Sequence, residues 1–157
     1  MRDARRTLVA ALAAAAAAIT VAAFSAARLA SAPVRGRPAG PDPIGSLLTI
    51  VGVAVGLIAF ERLGRSIAAD GRSSRAAIVA GAAGGALAGG IGGTAQAMAL
   101  ADYLGAVLTG YAVPPEFLAL ALGAYVVIAV GVGAIVGAAT AYVGWHRRRR
   151  RMDQPTG

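Results

Sequence analysis

The feature that most constrains this chain is the spacing of its charged residues. Four uncharged segments of 21, 18, 26 and 29 residues cover 7–27, 43–60, 76–101 and 117–145. A helix of about 20 predominantly apolar residues crosses the hydrocarbon core of a bilayer. We therefore predict an all-α integral membrane bundle of four transmembrane helices with short loops, whose spans cover about residues 7–27, 44–60, 76–101 and 117–145.

The composition leaves little material for a soluble domain. Only 14% of the residues are charged, against about 25% in a typical soluble protein. We expect one membrane domain over residues 1–157 that ends in a basic tail at 146–157. The basic residues are all arginine apart from one histidine, and with the many alanines and glycines this bias is typical of a GC-rich bacterial genome.

The first span is rich in alanine and has an alternative interpretation. An arginine-rich start, an apolar stretch and the small residues Ala30-Ser31-Ala32 are also the parts of a cleaved signal peptide. The apolar stretch is longer than the 7–15 residues of such peptides, and Pro33 would come directly after the cut. We expect the span to be retained, although cleavage stays open at this point.

Arginine placement predicts the orientation, because basic loops remain in the cytoplasm. Twelve arginines lie before span one, between spans two and three, and after span four, whereas three lie in the first loop and none lies in 105–116. Both termini should therefore face the cytoplasm, with the protein in the bacterial inner (plasma) membrane.

The net charge of +8 is concentrated partly in a run of arginines after span four. Such a run can bind nucleic acid, but beside a membrane span it is explained more simply as a topology anchor at anionic lipid headgroups. We predict lipid-headgroup contact and no nucleic-acid binding for Arg147, Arg148, Arg149, Arg150 and Arg151.

Glycines recur in rows along three of the spans. Small residues let transmembrane helices approach closely, and that packing replaces the hydrophobic driving force that lipid does not supply. In span three the row spaced by four residues runs from Gly81 to Gly93. The same broad face also carries Gly84, Ala88, Gly92 and Gln96, while Leu87, Ile91 and Met98 should face lipid. The predicted helix-packing residues are Gly45, Gly52, Gly56, Gly81, Gly85, Gly89, Gly93, Gly133 and Gly137.

The fourth-span row is expected to run from Gly123 through Gly133, Gly137 and Ala141 to Gly144. Rows on three helices favour a tightly packed bundle, or a bundle with an oligomer contact in addition. They carry no information about chemistry.

Few polar groups lie at membrane depth, where such groups are functional candidates. Gln96 is expected to hydrogen-bond Thr49, Tyr125 or Thr140, or to line a substrate path. Arg28 and Asp102 should lie at similar depth on the outer side, as a structural salt bridge or with Asp102 as an ion-sensing carboxylate.

No catalytic, metal or cofactor site is predicted. His146 has no Cys or acidic neighbour at ligand spacing, and Ser46 is expected near the opposite membrane surface from it. The glycines match neither a dinucleotide-binding nor a phosphate-binding loop. Residues 70–84 resemble part of the CDP-alcohol phosphotransferase signature, but three of its four metal-binding acids are replaced here, by Ile67, Ala88 and Gly92. The resemblance therefore implies no retained activity.

The sequence leaves two functional hypotheses. The first is a non-enzymatic multi-pass membrane protein with a structural or partner-binding role, in contact with the bilayer and with a membrane partner or a second copy of itself. The second is a small oligomeric channel, a holin-like protein or a transporter subunit that uses Gln96 or Asp102. A membrane enzyme is the weakest alternative, because clustered catalytic groups are missing.

Overall fold

A computed structural model of the protein describes residues 2–30, 43–112 and 114–152. Within these ranges the chain forms four helices and no strand: α1 (Arg2–Ala30), α2 (Pro43–Ala69), α3 (Ser74–Gly110) and α4 (Glu116–Met152). All four are long and apolar enough to cross a membrane. The predicted all-α bundle of four such helices is confirmed. The first loop, with the alternative signal-peptide cleavage site, and the final residues 153–157 lie outside the described ranges.

The helices extend beyond the uncharged segments that predicted them. Residues 105–110, expected in a loop, are the last turns of α3, and the basic stretch expected as a tail continues α4 as far as Met152. The uncharged runs mark apolar length, whereas a helix needs only satisfied backbone hydrogen bonds, so polar residues can continue it. The α3 helix ends at Gly110 with Tyr111 as its C-cap, and Ala112 comes next at a positive φ of 52°.

Each helix has two principal neighbours. The α1 helix packs against α2 and α3, and α4 packs against the same two helices from the other side, with the α3–α4 pair in the most extensive contact. Only slight contact joins α2 to α3 across the middle. The bundle is therefore a closed ring of four helices in the order α1, α2, α4, α3.

The turn between α2 and α3 is short because both helix ends are capped. Gly71 has φ of +73°, a left-handed conformation that glycine adopts without steric cost. The amide of Gly71 donates to the Ala68 carbonyl and that of Arg72 to the Ile67 carbonyl, the hydrogen-bond pair of a Schellman motif. Ser73 then caps α3 by accepting from the Ala76 amide at 3.4 Å. These caps reverse the chain tightly.

The main apolar core lies near this turn. Phe60, Leu63 and Ile67 of α2 are buried against Ala77 of α3 and small residues of α1, and Trp145 packs on the cluster. Ile67 is 1% exposed and is the largest fully buried side chain among the described residues. We call this part of the bundle the arginine-rich end. It comprises the start of α1, the α2–α3 turn and the end of α4.

Candidate functional site

The most extensive close packing in the bundle joins α3 to α4. A β-carbon added to Gly81 would overlap the Gly137 carbonyl oxygen, and one added to Gly85 would overlap that of Gly133. The relation is reciprocal. A β-carbon on Gly133 would overlap the Gly85 carbonyl, and one on Gly137 would overlap the Gly81 carbonyl. The two antiparallel backbones therefore touch directly. We call this contact the glycine seam, formed by Gly81, Gly85, Gly89, Gly93, Ala129, Gly133 and Gly137.

The glycines of α3 contact three neighbouring helices instead of forming one broad face. The row from Gly81 to Gly93 meets α4, while a β-carbon on Gly92 would lie 2.6 Å from the Ala18 Cβ of α1 and one on Gly84 would lie 3.0 Å from the Phe60 ring of α2. The bulkier side chains point away from these contacts. Leu87 is 51% exposed, and Ile91 and Met98 are also exposed.

A second close contact joins α2 to α4 at the arginine-rich end. A β-carbon on Gly64 would overlap the Ala141 carbonyl oxygen, and one on Gly144 would overlap that of Glu61. We call this contact the α2–α4 crossing. The sequence aligned Gly144 with the fourth-span row without selecting it as a packing residue, and Gly64 gave no signal because it lies beyond the predicted end of span two.

Other glycines of the predicted rows pack less tightly. Added β-carbons on Gly52 and Gly56 would lie 3.4 Å from Val21 Cγ2 and 3.6 Å from Ala14 Cβ of α1, which is ordinary contact. The Gly45 carbonyl accepts from the Thr49 hydroxyl at 2.8 Å within α2. Gly123 was expected in the α4 row, but no atom of another helix lies within 4 Å of its added β-carbon. Around Gly123, this face of α4 therefore does not contact another described helix.

Polar contacts hold all four helices together at the arginine-rich end. Arg6 of α1 forms an ion pair with Asp70 in the α2–α3 turn. Glu61 of α2 accepts from Arg65 at 2.7 Å and from Arg147 of α4 at 2.8 Å. The Trp145 indole of α4 donates to the Arg72 carbonyl at 2.9 Å. These contacts were not predicted, because residues far apart in sequence form most of them.

The basic stretch of α4 is partly used inside the protein. Besides the Arg147 contact with Glu61, the Arg149 guanidinium lies 5.5 Å from the centre of the Trp145 ring, and Arg150 Nε donates to His146 Nε2 at 2.8 Å. Arg148 and Arg151 are exposed on the same helical turns. Three of the five arginines predicted for lipid headgroups therefore also make contacts within the bundle.

A cavity of about 520 Å³ opens between the helices beyond the α2–α4 crossing. All four helices line it, and α3 contributes the small residues Gly85, Ala88, Gly89, Gly92 and Gly93 as its back wall. The lining residues Val53 and Leu57 of α2 and Val132 and Val136 of α4 are exposed. The opening therefore faces sideways between α2 and α4. We call this cavity the recess.

The recess is closed toward the arginine-rich end. Phe60 lines it there and is only 4% exposed, because its ring is also part of the apolar core. Beyond Phe60 lies the backbone contact of the α2–α4 crossing. The recess is thus a blind cavity with a lateral mouth.

Three polar side chains line the end of the recess that lies farthest from Phe60, namely Thr49, Gln96 and Tyr125. None of the predicted hydrogen bonds from Gln96 to Thr49, Tyr125 or Thr140 forms among the described residues. Thr49 donates to its own helix, while the Gln96 amide and the Tyr125 hydroxyl have no partner in the described part of the chain. Polar groups without partners are costly at membrane depth, which makes this cluster a candidate site.

The predicted Arg28–Asp102 salt bridge is not formed. Both side chains are exposed, and Asp102 makes no ion pair or hydrogen bond with any described residue. Arg28 has a different interaction. The two residues were expected at a similar depth. Both side chains are exposed, so the packing of α1 against α3 does not bring them together.

The described residues contain no group of three His, Cys, Asp or Glu side chains that could hold a metal ion. Asp70, the acid kept from the phosphotransferase-like stretch, pairs with Arg6, and Ile67 at the position of a lost acid lies in the core. The chain matches no protein-family profile, no curated protein and no solved structure. The fold is compatible with a multi-pass membrane protein, and the features open to functional interpretation are the glycine seam and the recess.

Proposed function

We propose that the chain is a non-enzymatic, multi-pass protein of the bacterial inner membrane that acts by binding a partner within the bilayer. The observation that carries this proposal is the recess, a cavity that is blind toward one membrane surface and open sideways between α2 and α4. A lateral mouth suits a partner that arrives through the lipid phase. The glycine seam has the structural part of the role, because it holds the back wall of the recess in place.

The placement of ionisable groups supports a binding role over catalysis. Glu61 and Asp70 are engaged in ion pairs, and His146 accepts a hydrogen bond from Arg150. Asp102 and Glu116 are exposed near the other end of the bundle. Acid–base chemistry needs such a group within hydrogen-bond reach of a substrate, and none of these residues lines the recess.

Both termini are proposed to face the cytoplasm. The ion pair of Arg6 with Asp70 and that of Arg147 with Glu61 bring basic residues of α1 and α4 to the same end of the bundle. Exposed arginines at this end, such as Arg62 and Arg148, are available for anionic headgroups. The chain has no native cysteine, so one introduced cysteine is a unique label. An impermeant maleimide applied to spheroplasts should label Glu116→Cys and leave Ala69→Cys unlabelled; the reverse pattern would contradict the orientation.

The channel hypothesis is the second candidate, and Gln96 in the recess is the observation that favours it. The two roles differ in what the purified protein does. As a binder, the protein should carry no ions when it is reconstituted in vesicles, whatever its oligomeric state in mild detergent. Ion flux that Gln96→Leu abolishes and Leu87→Ala preserves would reject the binding role and establish the channel.

A further inference from the structure

We infer that the recess binds a neutral membrane lipid, with an apolar chain lying toward Phe60 and an uncharged hydrogen-bonding head at Gln96 and Tyr125. This inference rests on the proposed binding role and names the chemical class of the partner. Shape, polarity and access each support it.

The shape of the recess fits one chain of a lipid. Its volume of about 520 Å³ lies within the range of roughly 300–1,000 Å³ that is typical of small-molecule sites. From Thr49 to Phe60 the α2 helix rises about 16 Å, at about 1.5 Å per residue. A stretch of transmembrane helix of that length, with a diameter of about 10 Å, would occupy roughly 1,250 Å³, which is more than twice the volume of the recess. The dimensions therefore favour a slender molecule over a partner helix.

The polarity changes from one end of the recess to the other. Leu57, Phe60 and Val136 line the closed end, and Gln96 and Tyr125 line the other. The helix contacts confirm that these two lie at the same level. Gly93 of α3 lies against Ala129 and Val126 of α4. Because the helices are antiparallel, about one turn leads from Gly93 forward to Gln96 and from Ala129 back to Tyr125. A ligand that matches this gradient has an apolar chain and one polar end.

The polar end should be uncharged. A glutamine amide offers two donors and one acceptor, and a tyrosine hydroxyl offers a donor and an acceptor. Both groups lack partners among the described residues, and no Asp, Glu, Arg or His of that part of the chain lines the recess there. A charged head at this depth would be desolvated without a counter-ion, which is unfavourable. A hydroxyl head would satisfy both side chains, because it can donate to the glutamine carbonyl and accept from the tyrosine hydroxyl.

Access comes from the lipid phase. The mouth lies between the exposed apolar residues Val53 of α2 and Val132 of α4. The arginine-rich end is closed by Phe60 and by the α2–α4 crossing. A molecule dissolved in the bilayer can therefore enter sideways without crossing the polar end of the bundle.

The test compares two photoreactive lipids with the same diazirine-bearing acyl chain, a diacylglycerol with a neutral hydroxyl head and a phosphatidylcholine with a zwitterionic one. Each is incorporated at the same low fraction into nanodiscs that contain the full-length protein, and cross-linked peptides are mapped by mass spectrometry. We expect diacylglycerol to label the recess segments 49–60 and 125–136 about fivefold more than phosphatidylcholine. This is about the difference in affinity that one net hydrogen bond produces.

Three variants assign the labelling to the recess. Gln96→Leu combined with Tyr125→Phe should reduce the preference for diacylglycerol to about one. Val132→Trp should block labelling by filling the mouth, and Val127→Trp, on the same helix but 71% exposed and outside the recess, should not. Thermal melting of each variant identifies any that fail to fold. If Val132→Trp fails to fold, Val53→Trp replaces it at the mouth, with Val51→Trp as its control.

Equal labelling by both lipids, or a preference that survives the double variant, would overturn the inference in favour of ordinary bilayer chains. Labelling confined to residues outside the recess would overturn it as well. Neither result depends on ion flux in vesicles, so failure of the ligand assignment is distinguishable from failure of the proposed binding role.

Discussion

The two halves of this bundle are held together differently. At the arginine-rich end, α4 touches α2 through backbone contacts at Gly64 and Gly144, and ion pairs and an indole hydrogen bond link the helices. Beyond Phe60, α4 stays in contact with α3 through the glycine seam, but a cavity separates it from α2. The α3–α4 pair thus stays in contact over the length of the seam, while the α2–α4 pair separates beyond Phe60. This difference makes the glycine seam a contact over several turns of α4, whereas the α2–α4 crossing is a local contact.

The largest effect is expected from a bulky side chain in the glycine seam. Gly85→Leu would place its side chain where the Gly133 carbonyl lies, so the helices must separate along a contact that depends on close approach. We expect the free energy of unfolding to fall by about 2–3 kcal/mol, measured as a lower melting temperature in mild detergent.

Two controls accompany that measurement. Leu87→Ala removes a side chain that is 51% exposed, and Gly123→Leu adds one where no other helix lies within 4 Å. Both should melt close to the unmodified protein. If Gly85→Leu melts at the same temperature as these controls, the seam is not a close-packing contact and the contrast between the two halves is lost.

A smaller loss is expected at the α2–α4 crossing. Gly144→Ala adds one methyl group that would overlap the Glu61 carbonyl, and overpacking by a single methyl group should cost about 1–2 kcal/mol. Gly131→Ala is the matched control, since its added β-carbon meets no other helix. An unchanged melting temperature for Gly144→Ala would show that the α2–α4 crossing is not a tight contact, which would remove the contrast between the halves.

The ion pairs of Glu61 should contribute less than either backbone contact. Glu61→Gln loses its charge interaction with Arg65 and Arg147, and the Arg147 side chain is largely exposed. We expect a loss of less than about 1 kcal/mol that diminishes at high ionic strength because salt screens exposed pairs. Glu116→Gln, at the other end of the bundle, should melt unchanged. A loss that is equal at low and high salt would mean that Glu61 acts through packing instead of charge.

The smallest effect is expected from Asp102. Its carboxylate makes no ion pair or hydrogen bond among the described residues, so Asp102→Asn should change stability by less than about 0.5 kcal/mol. A double-mutant cycle with Arg28→Gln should give no coupling energy between the two positions. Measurable coupling would support the salt bridge that the sequence predicted. The half of the bundle beyond Phe60 would then have a polar contact between helices as well.

The sequence alone determined the number of helices and their apolar lengths. Uncharged runs are a local property, and a bilayer requires each such run to satisfy its backbone hydrogen bonds within a helix. The four-residue spacing of Gly81, Gly85, Gly89 and Gly93 is equally local, because the helix period places such residues on one face. Properties that belong to a single helix could therefore be predicted.

Only the tertiary structure decided which faces meet. Gly133 and Gly123 belong to one predicted row of α4, yet the first touches the α3 backbone and the second meets no other helix. Gly64 lies outside every predicted span and makes one of the closest contacts. The helix period gives the direction of a side chain but not the crossing angle or the neighbour, which depend on the packing of all four helices together. The recess lies beyond the α2–α4 crossing, where these two helices no longer touch, and no pattern within either helix records that separation.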